Sequence, residues 1–386
     1  MRLHLILPRV DPAEITPPET CPRCGGRHLH LHQVVEKPLR DTEYSRVEAH
    51  RYRCLKCRHT LRVYPRGVSG DHTSQRVKGL AVLLYLLGLS YGAVSLVLGA
   101  LGVYLCKSRV YDAVQAAARQ VPGMKREAVF GGVRTPVVGS DVTLVRCAGR
   151  WLPVGLTVDA LTGLVLTVDG LTGEDAETLK TWMEPIAAAV GAELLVTDDA
   201  DSFKQVADDL GLGHQVCKSH VQRNTEALVE ELKAAAGRDA DGSLAAIGVS
   251  PEQAVADLHR LEELVRHRQP QQGRELRTLH ERYIRAGPPK EGERASLAYR
   301  LRLLFLDRWN LWPRLTRYRT WRGPQGERID GTNNAAERGI GWWIKERYRT
   351  MRGYKRVESA VGVSRLLAWC GNHLDRGGAD LLSLLT

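Results

Sequence analysis

The region from residue 133 to residue 221 alternates between runs of apolar, β-branched residues and amphipathic stretches. β-Branched runs of this length favour strands, whereas apolar positions repeating about every 3.6 residues favour helices. The predicted strands are 137–143, 150–160, 163–172, 193–200 and 214–220, and the predicted helices are 175–191 and 202–211. Three strands, a helix, a strand, a helix and a strand predict a mixed α/β sheet domain.

Residues 71–120 show the helical pattern without a strand pattern and predict three helices joined by short turns. Ser90 and Ser108 stand where the second and third helices would begin, and serine is a favoured N-cap. Lys107 and Arg109 open the third helix, which is typical of a helix-turn-helix that reads DNA. An ordinary three-helix packing unit is the alternative.

Residues 222–330 are charged and rich in Glu, Arg and Leu, and they predict an all-α insertion. Trp309, Trp312 and Trp321 lie in its final part. They could pack the helices against one another, or they could stack on an exposed base of a nucleic acid.

Composition narrows the class of protein. The 386-residue chain has a net charge of +11 and a pI of about 9.3, which favours a polyanionic partner. The apolar stretch 80–105 is broken by glycines and serines, so we expect a buried helical pair and no membrane association. The first residues lack the long apolar region of a signal peptide. Eight cysteines, four of them in CxxC pairs, favour metal binding in a reducing, cytoplasmic compartment.

Two CxxC pairs predict a zinc ribbon, namely Cys21 with Cys24 and Cys54 with Cys57. Each pair aims two thiolates at one point, and two pairs complete a tetrahedral Zn²⁺ site. The residues between the pairs alternate as a β-hairpin does. Reduced structural turns or a redox site are the alternatives. The ribbon is basic, so it could contact nucleic acid or have a purely structural role.

Acidic residues occupy three positions that a metal-dependent enzyme could use. Asp141 ends the first predicted strand, Asp198 follows the fourth, and Glu337 opens a predicted helix. A carboxylate at the end of a buried strand is costly to desolvate unless a cation compensates its charge. Together these side chains could hold two divalent ions, since hard cations such as Mg²⁺ take a few carboxylate oxygens. Asp199 is the alternative to Asp198, and Asp201 is a weaker candidate.

Cationic residues follow Glu337 at helical spacing. If the helix continues, they lie on one face and could bind phosphates beside the acidic residues. A solvated charged face is the alternative. The residues at these spacings are Arg338, Lys345, Arg349, Arg352 and Arg356.

Three motifs in this order resemble those of transposases of the Mutator-like superfamily and their bacterial insertion-sequence relatives. The motifs are VVGSDVT (137–143), a second Asp motif with a C-x-x-H signature (196–224) and the Asn-rich Glu motif TNNAAERGI (332–340). Cys217 and His220 provide the C-x-x-H signature, and Arg223 follows it. The resemblance covers about residues 130–365.

This resemblance implies an RNase H-like catalytic core, a topology for which the predicted element order is also typical. It implies a catalytic triad of Asp141, Asp198 and Glu337 with Mg²⁺ or Mn²⁺, and DNA cleavage with strand transfer at transposon ends. Cys217, His220 and Arg223 would support the active site. Two transposon ends must be cut together, so we expect a homodimer in the DNA complex and association with the bacterial nucleoid when bound.

Two other functions stay open. The first is a transposase-derived DNA-binding protein that has lost catalysis, although all three acidic residues are present. The second is an RNase H-like nuclease without strand transfer. The predicted fold is α/β, divided into a zinc ribbon (1–66), a helix-turn-helix-like region (71–120), the two parts of an RNase H-like core (133–221 and 331–386) and an all-α insertion (222–330).

Overall fold

The computed structural model describes residues 5–121, 133–349, 353–373 and 379–380. The strands in these ranges are β1 Leu5–Ile6, β2 Leu29–Pro38, β3 Arg46–Cys54, β4 Thr60–Val63, β5 Val137–Cys147, β6 Arg150–Asp159, β7 Val165–Gly170, β8 Leu194–Thr197, β9 Gly213–Val216 and β10 Ala379–Asp380. The α-helices are α1 Gln75–Leu86, α2 Tyr91–Ala100, α3 Lys107–Gln120, α4 Ala176–Val190, α5 Asp201–Asp209, α6 Lys218–Ala236, α7 Ser243–Ala246, α8 Pro251–His267, α9 Gly273–Arg282, α10 Leu297–Thr320, α11 Asn334–Arg338, α12 Glu346–Arg349 and α13 Val357–His373.

A five-stranded mixed sheet has the order β7-β6-β5-β8-β9. β5, β6 and β7 form an antiparallel meander, whereas β8 runs parallel to β5 and β9 runs parallel to β8. Parallel neighbours need a crossover connection, and α4 and α5 supply the two crossovers. The predicted order of strands and helices in this region is confirmed.

The last predicted strand of this region, 214–220, is too long at its end. β9 stops at Val216, and α6 begins at Lys218. The backbone N–H of Cys217 still donates to the carbonyl of Thr197 at 2.8 Å, and the chain then turns into the helix. Cys217 therefore stands at the N-cap of α6 rather than within a strand.

Helices cover both faces of this sheet. α4 and α5 pack on one face, where Leu179 and Phe203 are buried. Gly155 of β6 makes room for α4, because a Cβ there would lie 2.6 Å from the ring of Trp182. The other face is covered by α13, which packs on β7, and α3 packs on α13 in turn. Helices α1 to α3 and α13 share one continuous buried cluster with β6 and β7.

The three predicted helices of the 71–120 region are present. Ser90 caps α2 as predicted, its Oγ accepting from the N–H of Ala93 at 3.2 Å. The predicted Ser108 cap is wrong, because α3 begins at Lys107 and its N-cap is Cys106. Ser108 lies in the first turn, with its Oγ 3.2 Å from the sulfur of Cys106.

The β2-β3-β4 sheet forms the predicted hairpin of the N-terminal region and adds one further strand. Its small apolar cluster is separate from the main core and includes Val10, Leu39 and Val47. A buried hydrogen bond of 2.5 Å from Ser74 Oγ to Asp41 Oδ2 ties this sheet to the start of α1.

Residues 222–330, all of which are described, contain helices and no strand, as predicted. Helices α6 to α10 enclose a core of their own. Trp312 is buried there and donates to the carbonyl of Gln269 at 3.2 Å. Trp309 is half-buried beside the ring of His280, and Trp321 packs against apolar residues of β5 and β8. Trp312 is thus a core residue, whereas Trp309 and Trp321 each keep a partly exposed side chain.

None of the helices in the described residues combines the length and the apolar composition that a membrane span needs.

Candidate active site and metal centre

Asp141 and Asp198 lie at the same edge of the five-stranded sheet. β8 pairs with β5 from Val137 to Gly139, so Asp141 stands two residues beyond the last parallel pair. Asp198 follows directly after the last residue of β8. Because β5 and β8 are parallel, both carboxylates emerge at the carboxyl end of this pair.

The prediction that the first strand ends at Asp141 is wrong. β5 continues to Cys147 because it forms a long hairpin with β6, in which Asp141 lies opposite Leu156. Only the partner β8 ends near Asp141. The aspartate is therefore held in a rigid strand rather than on a loop.

Asn333 fixes the third acidic residue, Glu337, against β5. It is 2% exposed, and its Nδ2 donates to the carbonyl of Ser140 at 2.8 Å. Gly139 leaves room for it, since a Cβ at this position would lie 3.2 Å from Asn333 Oδ1. The carbonyl of Asn333 accepts from the N–H of Glu337 at 3.0 Å, so the start of α11 is tied to the residue before Asp141.

The three acidic residues share one electrostatic environment. Burial raises the pKa of Asp141 to about 7, and the charges of Asp198 and Glu337 act in the same direction. A hydrogen bond from the N–H of Val142 and the cation of Lys345 oppose this rise. Negative charge is thus concentrated at the site, and a divalent cation would compensate it.

Asp199 and Asp201 face a cation of their own. Lys204 Nζ lies 2.9 Å from Asp199 Oδ1 and 2.8 Å from Asp201 Oδ1. Asp201 is almost fully exposed. Asp198 is the member of this acidic run whose charge acts on Asp141, which favours it over Asp199 as the site residue.

A directed chain of hydrogen bonds holds the backbone at Asp198. Arg314 Nη1 lies 2.9 Å from Nδ1 of His214, and Nε2 of His214 lies 2.9 Å from Thr197 Oγ1. Arginine can only donate, so Nδ1 accepts and Nε2 carries the proton. Thr197 Oγ1 then donates to the carbonyl of Asp198 at 2.9 Å. Burial and the nearby Arg314 lower the pKa of His214 to about 3, which keeps the ring neutral.

Cys217 and His220, predicted as supports of the site, contact Glu337. Cys217 Sγ lies 3.7 Å from Glu337 Oε1, and His220 Nδ1 lies 3.5 Å from the same oxygen. Burial raises the pKa of the Cys217 thiol. Arg223, the third predicted support, is exposed one turn further along α6.

The four ribbon cysteines form a cluster that could hold zinc. Cys21 Sγ lies 3.6 Å from Cys57 Sγ, and Cys24 Sγ lies 3.7 Å from Cys54 Sγ. Tetrahedral Zn–S bonds of about 2.3 Å place sulfurs about 3.8 Å apart, so the cluster fits a zinc ion. The N–H of Cys57 lowers the pKa of Cys54, which favours its thiolate, whereas desolvation and the other three cysteines raise the pKa of Cys57. The N-terminal sheet is thus compatible with a zinc ribbon.

Both cysteine pairs are shaped by the same turn. The carbonyl of Cys21 accepts from the N–H of Gly25, and the carbonyl of Cys54 accepts from the N–H of Arg58, each at 2.9 Å. Gly25 has φ +66° and Arg58 has φ +59°. The second turn therefore places a non-glycine residue in the left-handed region, which glycine adopts more easily.

The residues predicted to bind DNA lie partly on the surface. Lys107 and Arg109 are exposed at the start of α3, and Arg338 and Lys345 are exposed near Glu337. Of the other predicted cations, Arg349 ends α12 and Arg352 lies outside the described residues.

The predicted cationic face of a single helix is wrong. The segment Gly339–Lys345 is a π-helix, which bonds residues five apart and so turns less per residue than an α-helix. The seven-residue spacing between Arg338 and Lys345 therefore does not return to one face. Arg356 lies beyond α12, just before α13.

Sequence reasoning missed several residues that shape the site. His214 and Arg314 were not singled out, and Asn333 appeared only as part of a motif. Their partners lie far away along the chain, for example 100 residues between Arg314 and His214. The available signal was a polar residue within an apolar run, which is costly to bury without a partner.

Two groups of potential metal ligands occur among the described residues. In each group, the ligand atoms of three or more Cys, His, Asp or Glu side chains lie within 4.8 Å of one another. One is the ribbon cluster, and the other is Cys217, His220 and Glu337. Asp141 and Asp198 belong to neither group.

No protein-family model matches the chain, and a search of the curated proteins finds no match.

Proposed function

We propose that this protein is a DNA transposase that binds the ends of a mobile element and catalyses metal-dependent DNA cleavage and strand transfer. One observation carries the proposal: Asp141 and Asp198 lie at the carboxyl end of the parallel pair β5 and β8, and Asn333 ties the helix of Glu337 to β5 beside them. The three motifs that contain these residues resemble, in the same order, those of Mutator-like transposases.

The sheet supports an RNase H-like core for this proposal. An antiparallel meander β7-β6-β5 continues through two parallel strands, and a helix-borne glutamate comes from a late segment of the chain. The all-α stretch 222–330 separates that glutamate from β9 and accounts for its distance along the sequence.

Asp141, Asp198 and Glu337 would hold Mg²⁺ or Mn²⁺, since carboxylate oxygens suit these hard cations. The bound ions would lower the pKa of an attacking water and stabilise the leaving oxygen at phosphorus. The chain's own contribution is orientation: β5 fixes Asp141, Asn333 fixes Glu337, and Thr197 fixes the backbone of Asp198. Lys345, whose charge acts on Asp141, would contact a phosphate there.

Several surfaces could bind DNA in this proposal. Lys107 and Arg109 stand at the exposed start of α3, the position from which a helix-turn-helix reads base edges. The zinc-ribbon region adds basic residues. Two ends must be cut together, so the active form on DNA would be a homodimer.

The proposal is tested by Mg²⁺-dependent cleavage of DNA taken from the two flanks of the gene. Asp141→Asn and Glu337→Gln should each lower the cleavage rate more than about a hundredfold, since loss of an outer partner alone costs about 10–100-fold. Asp199→Asn, in which the lost carboxylate pairs with Lys204, should keep the rate within about tenfold and serves as the matched control.

The possible outcomes separate the related functions. A strand-transfer product that disappears in Asp141→Asn supports a transposase. Cleavage without such a product indicates a nuclease. Tight binding to the flanks without cleavage in Mg²⁺ or Mn²⁺ would indicate a DNA-binding protein that has lost catalysis.

A further inference from the structure

A cluster of metal-type ligands lies where α6 meets α11. Cys217 is the N-cap of α6, and His220 follows three residues later, so both side chains can project from one face of the first turn. Glu337 of α11 faces them, with its Oε1 3.7 Å from Cys217 Sγ and 3.5 Å from His220 Nδ1. All three ligand atoms lie within 4.8 Å of one another.

We propose that Cys217, His220 and Glu337 form a binding site for a transition-metal ion of the zinc class. This site is separate from the ribbon, and it shares only Glu337 with the proposed hard-cation site of Asp141, Asp198 and Glu337. The zinc-class site goes beyond the proposed function. It rests on that function in one respect, because Glu337 is also a ligand of the proposed hard-cation site.

The distances fit such an ion. Zn–N and Zn–O bonds of about 2.0 Å and a Zn–S bond of about 2.3 Å place tetrahedral ligands roughly 3.3–3.5 Å apart. The two measured separations exceed this range by a few tenths of an ångström at most. A thiolate and an imidazole also select zinc over magnesium, because Mg²⁺ prefers oxygen ligands.

The environment of His220 points to the same ligand. Its Nδ1 is buried and lacks a hydrogen-bond partner among the described residues. Without an ion, a buried nitrogen of this kind loses the free energy that water would have provided. The side chains of His220 and Glu337 are 31% and 37% exposed, so solvent can supply a fourth ligand. Three protein ligands and a water complete a tetrahedral site.

An ion at this position would orient the active-site glutamate. Oε1 of Glu337 faces Cys217 and His220. A carboxylate has a second oxygen, which remains free for the cations of the acidic site. The zinc-class ion therefore acts as a positioning element that holds Glu337 between α6 and α11.

Metal counting tests this site without DNA. The full chain and its variants are loaded with Zn²⁺ in excess Mg²⁺ and dialysed, and the zinc bound per chain is measured. Cys217→Ser and Glu337→Gln should each hold one ion fewer than the wild type. Cys106→Ser, which removes a thiol at the start of α3, should match the wild type. Zinc bound by the ribbon is the same in every chain. The difference in zinc count between the wild type and a variant therefore reports the proposed site.

Equal zinc counts in the wild type, Cys217→Ser and Glu337→Gln would overturn the site. Glu337 is partly exposed, so its variant keeps the test valid if the buried Cys217→Ser fails to fold. Loading with Co²⁺ gives a second readout, since Cys217→Ser should lose part of the thiolate-to-cobalt absorption. If the wild type does not cleave DNA but the variants bind one zinc ion fewer, the transposase is rejected and this site is kept. If the wild type cleaves DNA and all chains bind equal amounts of zinc, the transposase is kept and this site is rejected.

Discussion

Asp141 shows how a single carboxyl group can set the pH dependence of the whole chain. Its pKa is about 7 in the folded chain and near 3.9 in an unfolded one. The folded state therefore binds more protons between these values, and the free energy of unfolding falls as the pH rises from about 4 to about 7. Without Mg²⁺ this loss amounts to at most about 4 kcal/mol, since one pKa unit is worth about 1.4 kcal/mol.

We expect Asp141→Asn to remove this loss. In Mg²⁺-free buffer near pH 8 the variant should be more stable to urea than the wild type, and near pH 4 the two should be alike. Asp201→Asn, whose side chain is 96% exposed, should keep the wild-type pH dependence. Parallel pH profiles for the wild type and Asp141→Asn would show that another group controls this range.

At the level of residues, the sequence predicted which acidic side chains to consider but not what holds them. Asp141 and Asp198 were evident because they interrupt apolar runs. The bond from Asn333 to Ser140 spans 193 residues, and no local pattern reports a contact of that length. The choice between Asp198 and Asp199 also depended on Lys204, whose direction is set by packing.

Among the elements, α10 has a role that its sequence does not indicate. It belongs to the all-α stretch, yet its Arg314 begins the chain of hydrogen bonds that reaches Asp198 through His214. Arg314 also binds both oxygens of Asp208, at 2.8 and 2.7 Å. The insertion is therefore coupled to the edge of the sheet that carries Asp198.

Arg314→Lys should weaken this coupling, because a lysine cannot reproduce the planar fork. We expect the Mg²⁺ concentration for half-maximal cleavage to rise about tenfold, with most of the rate recovered at saturating Mg²⁺. Arg319→Lys alters the same helix at a residue that bonds the carbonyl of His267, and should leave the Mg²⁺ dependence unchanged. A lower rate at every Mg²⁺ concentration, with a lower melting temperature, would instead indicate a purely structural role.

Helices and strands were largely predictable here, but the π-helical segment was not. The periodicity of apolar residues reports a helix without reporting which backbone atoms pair. Gly339 opens this segment, and a Cβ there would lie 3.3 Å from the side chain of Leu156. The close approach of the segment to β6 is a tertiary feature, which the sequence after Glu337 could not reveal.

Across the whole molecule, Arg347 joins the late helices to the early ones. It is 4% exposed, and its guanidinium lies 4.0 Å from the ring centroid of Tyr85 in α1. It also donates to the carbonyl of Leu89 at 3.2 Å. A buried charge of this kind is stable only with such partners.

Arg347→Met keeps an apolar stem and removes these contacts, so it should lower the free energy of unfolding by about 2–3 kcal/mol. Arg338→Met, at an exposed position on the same run of helices, should change it by less than about 0.5 kcal/mol. Urea unfolding of the two variants beside the wild type gives the comparison. Equal stability of both variants would show that Arg347 contributes no net stabilisation.

The sequence predicted domains of distinct composition. The buried apolar residues instead join two of these domains in one core. Composition separates 71–120 from the sheet region that follows. However, Val94 and Val114 of this range share one apolar cluster with Leu156 and Leu366. Such contacts depend on how elements meet in space, and the amphipathic pattern reports only that a face is apolar.

This shared core limits how the protein can be divided for experiments. A fragment made of 71–120 alone would expose the apolar side chains that now join the shared cluster through α13, and large exposed apolar patches promote aggregation. The N-terminal sheet, which has a separate apolar cluster and a cysteine cluster, is the better fragment to express alone. DNA-binding measurements on α3 should therefore use a chain that retains the five-stranded sheet.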